Sequence, residues 1–311
     1  MKTITSKLTV LLMLATVVMA TFTIQSCSKK SSGSSTPPVT LIGGYASSDS
    51  VAASNLVLYW NFDNSVSEKE LGLTPASSSG VTYTTGIRGQ AYQGGSGVSA
   101  IFAVPSADQS KLNLGSYSIS FWYNMSTQQP SGDPGGVFFL SGTQTGDWNE
   151  LIYEFEPYSP VSGDSVSFHN GFNNIGAPAG AYAAFTMQAW DTLGTGAWTF
   201  VTCTYDGPSS TYIVYEDATP IQNASAWGFQ TSNIIYQQSS TTGPVEGALN
   251  WSADLPDSIT IGQWPADNSY GVSTTGGHSC YMGQLDELRL FNRALKQSEV
   301  TGLYLNGLAG R

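Results

Sequence analysis

The sequence predicts an all-β protein built as a sandwich of antiparallel sheets, and three observations lead to that prediction. Apolar and polar residues alternate with a period of two in several short segments, as strands require. The 311 residues include 34 glycines and 16 tyrosines, and only 11% are charged, which is typical of secreted β-sandwiches. A single short helical pattern follows the last predicted strand, close to the C-terminus.

Four segments in the middle of the chain show the strand alternation. They are 56–63 (LVLYWNFD), 117–125 (YSISFWYNM), 198–205 (WTFVTCTY) and 258–264 (SITIGQW). The third is apolar on both faces, which predicts a central strand, and Asp206-Gly207 after it is a turn signal. Two long regions rich in Gly, Ser and Pro, 129–180 and 218–256, are interpreted as loop insertions that would carry a specific activity.

Residues 281–307 (YMGQLDELRLFNRALKQSEVTGLYLNG) predict the final strand and the helix. Counting by twos from Met282 places Asp286, Leu288 and Leu290 on one face, which we expect to point towards the core. The apolar spacing then becomes helical, and a glycine suited to a left-handed position ends the helix.

This segment resembles the C-terminal signature of the laminin-G-like domains of the concanavalin A-like lectin/glucanase superfamily. That signature reads G-x-x-D-E-x-R-x-(F/Y)-N-R-A-L, followed by E-(V/I)-x-x-L-Y. The matching positions are Gly283, Asp286, Glu287, Arg289, Phe291, Asn292, Arg293, Ala294, Leu295, Glu299, Val300, Leu303 and Tyr304. The resemblance implies a concanavalin A-like jelly-roll β-sandwich of two antiparallel sheets with a short C-terminal helix. It says little about function, because this fold hosts lectins, glycosidases and adhesion modules.

The N-terminus predicts export and a lipid anchor. Residues 1–26 resemble a lipoprotein signal peptide, with a short apolar run at 8–20 and a lipobox-like end before Cys27. An ordinary signal peptide with an incidental cysteine is the alternative. Residues 27–54 are interpreted as a flexible tether lipidated at Cys27, and 55–311 as one folded domain. The start SCSKK is typical of Bacteroidetes-type lipoproteins, which predicts attachment to the outer membrane, facing either the periplasm or the outside.

The charge distribution excludes several partners. The formal net charge is −11, and four of the 11 basic residues lie before residue 31, which leaves seven against 22 acidic residues downstream. A chain without a basic patch is a poor partner for nucleic acid or anionic lipid, so only the lipid anchor would contact a membrane. In an oxidising compartment Cys203 and Cys280 could form a disulfide. Both lie in predicted strands, however, and buried free cysteines are common, so the sequence leaves the pairing open.

One segment suggests catalysis. Residues 148–158 (WNELIYEFEPY) place Glu150, Ile152, Glu154 and Glu156 on one strand face. The run resembles the E-(I/L)-D-x-E-F strand of retaining family 16 glucanases, which would make Glu150 the nucleophile and Glu154 the acid/base. Ile152 replaces the usual aspartate, however. Residues four apart on a strand are also about 13 Å apart, whereas a retaining pair needs carboxyl groups about 5–5.5 Å apart.

Aromatic residues beside polar ones suggest carbohydrate binding, because flat rings stack on the apolar face of a sugar while polar neighbours bond its hydroxyls. The favoured site is the loop Gln263–Tyr270. The candidate residues are Trp264, Asp267, Asn268 and Tyr270, with Trp227 and Trp251 in other loops. For each tryptophan, the alternative is a ring that packs beneath its own loop.

Metal binding is the last question that the sequence raises. His169 and His278 have no zinc-like spacing with the cysteines. Asp63 and Asp286 occupy positions where some relatives hold a structural calcium. The alternative for Asp286 is that backbone N–H groups or an arginine satisfy its carboxylate.

The sequence therefore predicts a cell-envelope lipoprotein with a non-catalytic, lectin-like domain for glycan capture or adhesion. Two alternatives stay open. One is a family 16-like glycoside hydrolase, and the other is a protein-adhesion or structural module without a sugar site.

Overall fold

A computed structural model of the chain describes residues 40–125, 134–143, 149–156, 165–174, 187–194, 196–221, 233–237, 242–265 and 280–311. These residues belong to one compact unit, Thr40–Arg311. Among them, no helix combines the length and the apolar character needed to cross a membrane.

The compact unit is an antiparallel β-sandwich of a jelly-roll kind, which confirms the predicted fold class. Eight strands form the first sheet: β1 (Leu56–Trp60), β3 (Thr82–Thr85), β4 (Gln90–Gln93), β6 (Tyr117–Asn124), β11 (Thr199–Asp206), β12 (Thr211–Glu216), β13 (Thr219–Ile221) and β15 (Gln284–Phe291). Their order is β13-β12-β11-β6-β15-β4-β3, and β1 also pairs with β15.

Seven strands form the second sheet: β2 (Ser77–Ser79), β5 (Ser99–Ala103), β7 (Gly135–Ser141), β8 (Leu151–Glu156), β9 (Ser165–Phe172), β10 (Met187–Gly194) and β14 (Ser258–Ile261). Their order is β10-β9-β8-β7-β14-β5-β2. The helices are α1 (Ser106–Gln109) and α2 (Gln297–Leu308), and short 3-10 turns lie at Ser48–Ser50, Ala53–Asn55 and Ser110–Leu112.

The core lies between the two sheets and is rich in aromatic rings. Trp60 of β1 packs edge-on against Phe102 and Phe138 of the second sheet, with ring centroids 5.5 and 6.1 Å apart. Tyrosine hydroxyls inside this core bond to one another, as where Tyr153 donates to Tyr117 at 3.0 Å. The rings supply buried apolar area, and hydrogen bonds between the hydroxyls offset part of the cost of removing them from water.

Helix α2 covers the outer face of the eight-stranded sheet. Trp122 on β6 points away from the core and packs against Phe200 of β11 and Tyr304 of α2. Residues before β1 add to this cover, since Asn306 donates to the Ile42 carbonyl at 2.8 Å. Trp122 therefore has a packing role, and this sheet face is closed by the chain's own C-terminus.

Three expectations from the sequence need correction. The folded unit begins at Thr40 rather than at Asn55, because residues 40–54 bind α2 and the last strands. The region 129–180 is not a plain loop insertion, since it supplies β7, β8 and β9 in the middle of the seven-stranded sheet.

The third correction concerns Asp286, which does not share a face with Leu288 and Leu290. A β-bulge interrupts the pairing of β15 with β6 between Asp286 and Arg289, and Glu287 has a positive φ of 54°. The extra residue shifts the alternation, so Leu285 joins the core instead.

Candidate functional site

The outer face of the seven-stranded sheet carries a cluster of buried ionisable groups and a polar cavity. On β8 the odd-numbered residues Leu151, Tyr153 and Phe155 enter the core. The even-numbered residues therefore face outward, as the strand period requires. Since α2 covers the other sheet, this face is the candidate site.

Glu154, Glu156 and His169 form a cluster on this face. Glu154 of β8 lies directly opposite His169 of β9, because the two strands pair antiparallel in that register. His169 Nδ1 is 2.6 Å from Glu154 Oε1 and 3.2 Å from Glu156 Oε1. All three residues are buried.

Burial and mutual contact shift the pKa values of this cluster. Burial raises the pKa of Glu154, and the neighbouring imidazole His169 opposes that rise. Burial alone would lower the pKa of His169, but the charges and hydrogen bonds of Glu154 and Glu156 outweigh it and raise that pKa. The contact with the two glutamates therefore favours the protonated form of His169.

An apolar patch lies beside the cluster. Ile152 of β8 and Phe139 of β7 are paired on neighbouring strands, and they form one hydrophobic cluster with Trp264, which follows β14. The rings of Phe139 and Trp264 have centroids 5.4 Å apart. Trp264 is only 3% exposed, so its ring packs on the sheet.

A cavity of about 330 Å³ opens at the end of the sheet where β7 ends and β14 begins. It is lined by Ser141, Gly142, Thr143, Asn149, Asp257, Ser258 and Pro265. Five of these lining residues carry a hydroxyl, amide or carboxyl group. The cavity has the size of small-molecule sites, but its lining is more polar than theirs usually is.

Two carboxylates, those of Glu150 and Asp254, accept hydrogen bonds from the cavity residues Gly142 and Thr143. Gly142 N–H donates to Glu150 Oε2 at 2.6 Å, and the Thr143 hydroxyl donates to Asp254 Oδ1 at 2.8 Å. A Cβ on Gly142 would lie 2.6 Å from an oxygen of Asp254 and from one of Glu150, so a larger residue would disrupt both contacts.

Glu150 and Glu154 do not form a facing pair in this structure. Glu150 bonds to Gly142 at the beginning of β8, whereas Glu154 bonds to His169 further along that strand. The apolar side chain of Ile152 lies between them on the same face. Glu150 and Glu154 therefore do not form the close carboxyl pair that a retaining glycosidase needs.

The predicted sugar-binding residues have mixed positions. Trp251 is fully buried in the main core and donates its indole N–H to the Asn173 carbonyl at 2.6 Å, which is the packed position named as its alternative. Trp264 is likewise buried, because its ring packs against Phe139 on the sheet. Three candidates of the favoured loop (Asp267, Asn268 and Tyr270) lie outside the described residues, as do Trp227 and Cys27.

Asp63 and Asp286 both accept backbone N–H groups from the β3–β4 hairpin. Asp286 Oδ2 bonds to the amides of Ile87 and Arg88 at 2.9 and 3.1 Å, and Asp63 Oδ1 bonds to the amide of Gln90 at 2.8 Å. Backbone amides thus bond to one oxygen of each carboxylate, whereas the buried Asp286 Oδ1 has no hydrogen-bond partner among the described residues. A calcium at these residues stays a prediction.

Sequence reasoning missed His169 as a partner of the glutamates. It searched for histidine near cysteine, whereas the structure brings the ring to Glu154 across two paired strands. The signal that was present is the E-x-E alternation at the end of one strand, followed by a histidine in the next segment with strand alternation. It has meaning only once the strand register is known.

Comparisons with known proteins give structural likenesses alone. No protein-family model matches the chain. No curated protein matches it either. The resemblance to laminin-G-like domains therefore stays a prediction.

Similar solved structures include domain 4 of AbnA, a GH43 extracellular arabinanase from Geobacillus stearothermophilus, in complex with arabinotriose. It gives 17% identity and a TM-score of 0.44 over 80% of this chain and 98% of that chain. Trypanosoma rangeli sialidase gives 15% identity and a TM-score of 0.45 over 82% of this chain and 34% of that chain. The binding domain of Paraclostridial Mosquitocidal Protein 1 gives 13% identity and a TM-score of 0.47 over 81% of this chain and 52% of that chain. At these values, the likenesses carry no argument about ligand, activity or partner.

Proposed function

We propose that the protein binds a carbohydrate at the outer face of its seven-stranded sheet. The observation that carries the proposal is the cavity of about 330 Å³ with hydroxyl, amide and carboxyl groups in its lining. Sugars present a dense set of hydroxyl donors and acceptors, and such a lining can pair with them.

The position of the cavity supports this proposal. Pro265 lines it, and Pro265 belongs to the loop Gln263–Tyr270 that the sequence favours as a sugar site. The neighbouring Trp264 ring packs on the sheet and fixes the start of that loop. The acidic net charge of −11 leaves neutral or cationic glycans as better partners than anionic ones.

A glycan array with the purified protein, in the presence of calcium, tests the proposal. We expect related glycans to bind, and we expect Asp257→Ala in the cavity to reduce that binding. Asp206→Ala, on β11 of the other sheet, is the matched control and should leave it unchanged. A blank array from folded protein, or equal binding by both variants, would contradict this site.

A protein-adhesion or structural module is the second candidate, and the burial of Trp251 and Trp264 favours it. A sugar site usually exposes at least one ring for stacking. This candidate predicts a blank glycan array together with little quenching of these two tryptophans by acrylamide.

A retaining glycoside hydrolase is the enzymatic alternative, with Glu150 and Glu154 as its acidic groups. The separation of these residues by Ile152 weighs against it. If catalysis occurs on a glycan that binds, Glu150→Gln should abolish product release, whereas a binding protein would release no product at all.

We further propose that the protein is anchored to the outer membrane through a lipid on Cys27. The support is the lipobox-like sequence before that residue. In cells, Cys27→Ser should move the protein from the membrane fraction to the soluble fraction. Unchanged membrane association would contradict the anchor.

A further inference from the structure

We propose that Glu154, Glu156 and His169 form a binding site for a divalent transition-metal ion. The site is separate from the cavity of the proposed function, and it does not depend on sugar binding. Its three ligand atoms, one imidazole nitrogen and two carboxylate oxygens, all lie within 4.8 Å of one another.

The geometry fits a small ion with few ligands. Bonds of about 2.0–2.2 Å at tetrahedral angles place neighbouring ligand atoms about 3.3 Å apart. His169 Nδ1 is 2.6 Å from Glu154 Oε1 and 3.2 Å from Glu156 Oε1. These two separations would need to widen by less than about 1 Å to admit the ion.

A second observation is independent of the clustering. Oxygen Oε2 of Glu154 is buried, and within the described part of the chain it has no hydrogen-bond partner. The Glu154 side chain is only 1% exposed. A buried carboxylate oxygen without a donor is costly, and a cation beside it removes that cost.

The chemistry of the cluster also suits a divalent ion. Two glutamate carboxylates and an imidazole form a donor set that a divalent cation binds. The ligands are already together in the folded chain, so metal binding should stabilise the folded state.

The donor set selects the class of metal. Imidazole and carboxylate ligands suit Zn²⁺ and Mn²⁺, whereas Ca²⁺ takes six to eight oxygen ligands and little nitrogen. The ligands come from adjacent paired strands in the middle of a sheet, so the backbone holds their spacing before the ion arrives.

Isothermal titration tests the site. Protein treated with a chelator and then dialysed free of it is titrated with ZnCl₂ and with MnCl₂ at pH 7, and elemental analysis gives the stoichiometry. We expect one ion per chain and a higher Tm with the metal, and no such response to CaCl₂. His169→Gln and Glu154→Gln should each weaken binding by about tenfold or more, since even residues behind a metal ligand cost that much.

Glu246→Gln is the matched control. Glu246 is a buried glutamate that accepts from Asn174 Nδ2 at 2.6 Å and lies outside the cluster, so its variant should bind metal as the unmodified protein does. Circular dichroism shows which variants fold, and Glu156→Gln replaces any variant that does not. No binding by the unmodified protein, or equal affinity in the cluster variants, would overturn the proposal.

Discussion

The closure of the eight-stranded sheet by α2 leads to a quantitative prediction at Trp122. This ring is 1% exposed and lies between Phe200 and Tyr304, with centroids 5.1 and 5.6 Å away. Trp122→Ala leaves a cavity beneath the helix, and Trp-to-Ala changes of this kind cost about 3–5 kcal/mol. Each kcal/mol lowers Tm by about 2–4 °C in a domain of this size, so we expect a fall of roughly 6–20 °C.

Urea unfolding followed by far-UV circular dichroism measures this loss, because the signal does not depend on the number of tryptophans. The control is Trp198→Ala, which removes a half-buried ring at the edge of the same cluster and should cost about 1–2 kcal/mol. If Trp122→Ala costs no more than Trp198→Ala, the helix does not seal this face. The assignment of the ligand face to the other sheet would then lose its basis.

Two further stability predictions follow from backbone and charge. Gly262→Ala should cost about 2–5 kcal/mol in urea unfolding, because φ is +87° and the new Cβ would lie 1.9 Å from the Tyr92 hydroxyl. Gly97→Ala, where φ is +73° and no atom lies within 4 Å, should cost only about 1–2 kcal/mol, and equal losses would contradict the clash. Burial and the Glu287 charge raise the pKa of Asp286 to about 8 from 3.8. The folded state therefore binds this proton more tightly than the unfolded chain does, so the free energy of unfolding falls as pH rises from about 4 to 8. Asp286→Asn should abolish this fall, which is on the order of a few kcal/mol. The free energy of unfolding in urea, with a chelator present, is compared at pH 5 and pH 8 for the unmodified protein and for Asp286→Asn. An equal change between the two pH values in both proteins would refute the assignment.

The strands were predictable wherever local alternation decides the outcome. Segments 117–125 and 198–205 correspond to β6 and β11, and 258–264 begins with β14. In each, apolar side chains enter the core at every second position, and burial of that face outweighs other preferences.

The face of Asp286 was not predictable by the same reasoning. A period of two assumes an uninterrupted ladder, but the bulge before Arg289 inserts one residue. The left-handed backbone at the bulge belongs to Glu287, and nothing about a glutamate in the sequence marks such a position.

The candidate site was predictable only in part. The alternation on β8 showed the row of glutamates, but their contact with His169 depends on pairing with another strand. Trp264 was a sugar-binding candidate because its loop combines a ring with a carboxylate and an amide. The outward-facing residues Phe139 and Ile152 offer it an apolar surface, and only the assembled sheet brings them together.

The meeting of the two ends of the compact unit has a mechanical consequence. The Arg311 side chain donates to the Thr40 carbonyl, and the Ser48 amide donates to the Arg311 carbonyl, beside the helix that covers the eight-stranded sheet. A pulling force applied to the chain at Thr40 would act on these hydrogen bonds first. The cavity and the glutamate–histidine cluster lie on the other sheet, so a force applied at Thr40 would act on the helical side of the sandwich before it reaches them.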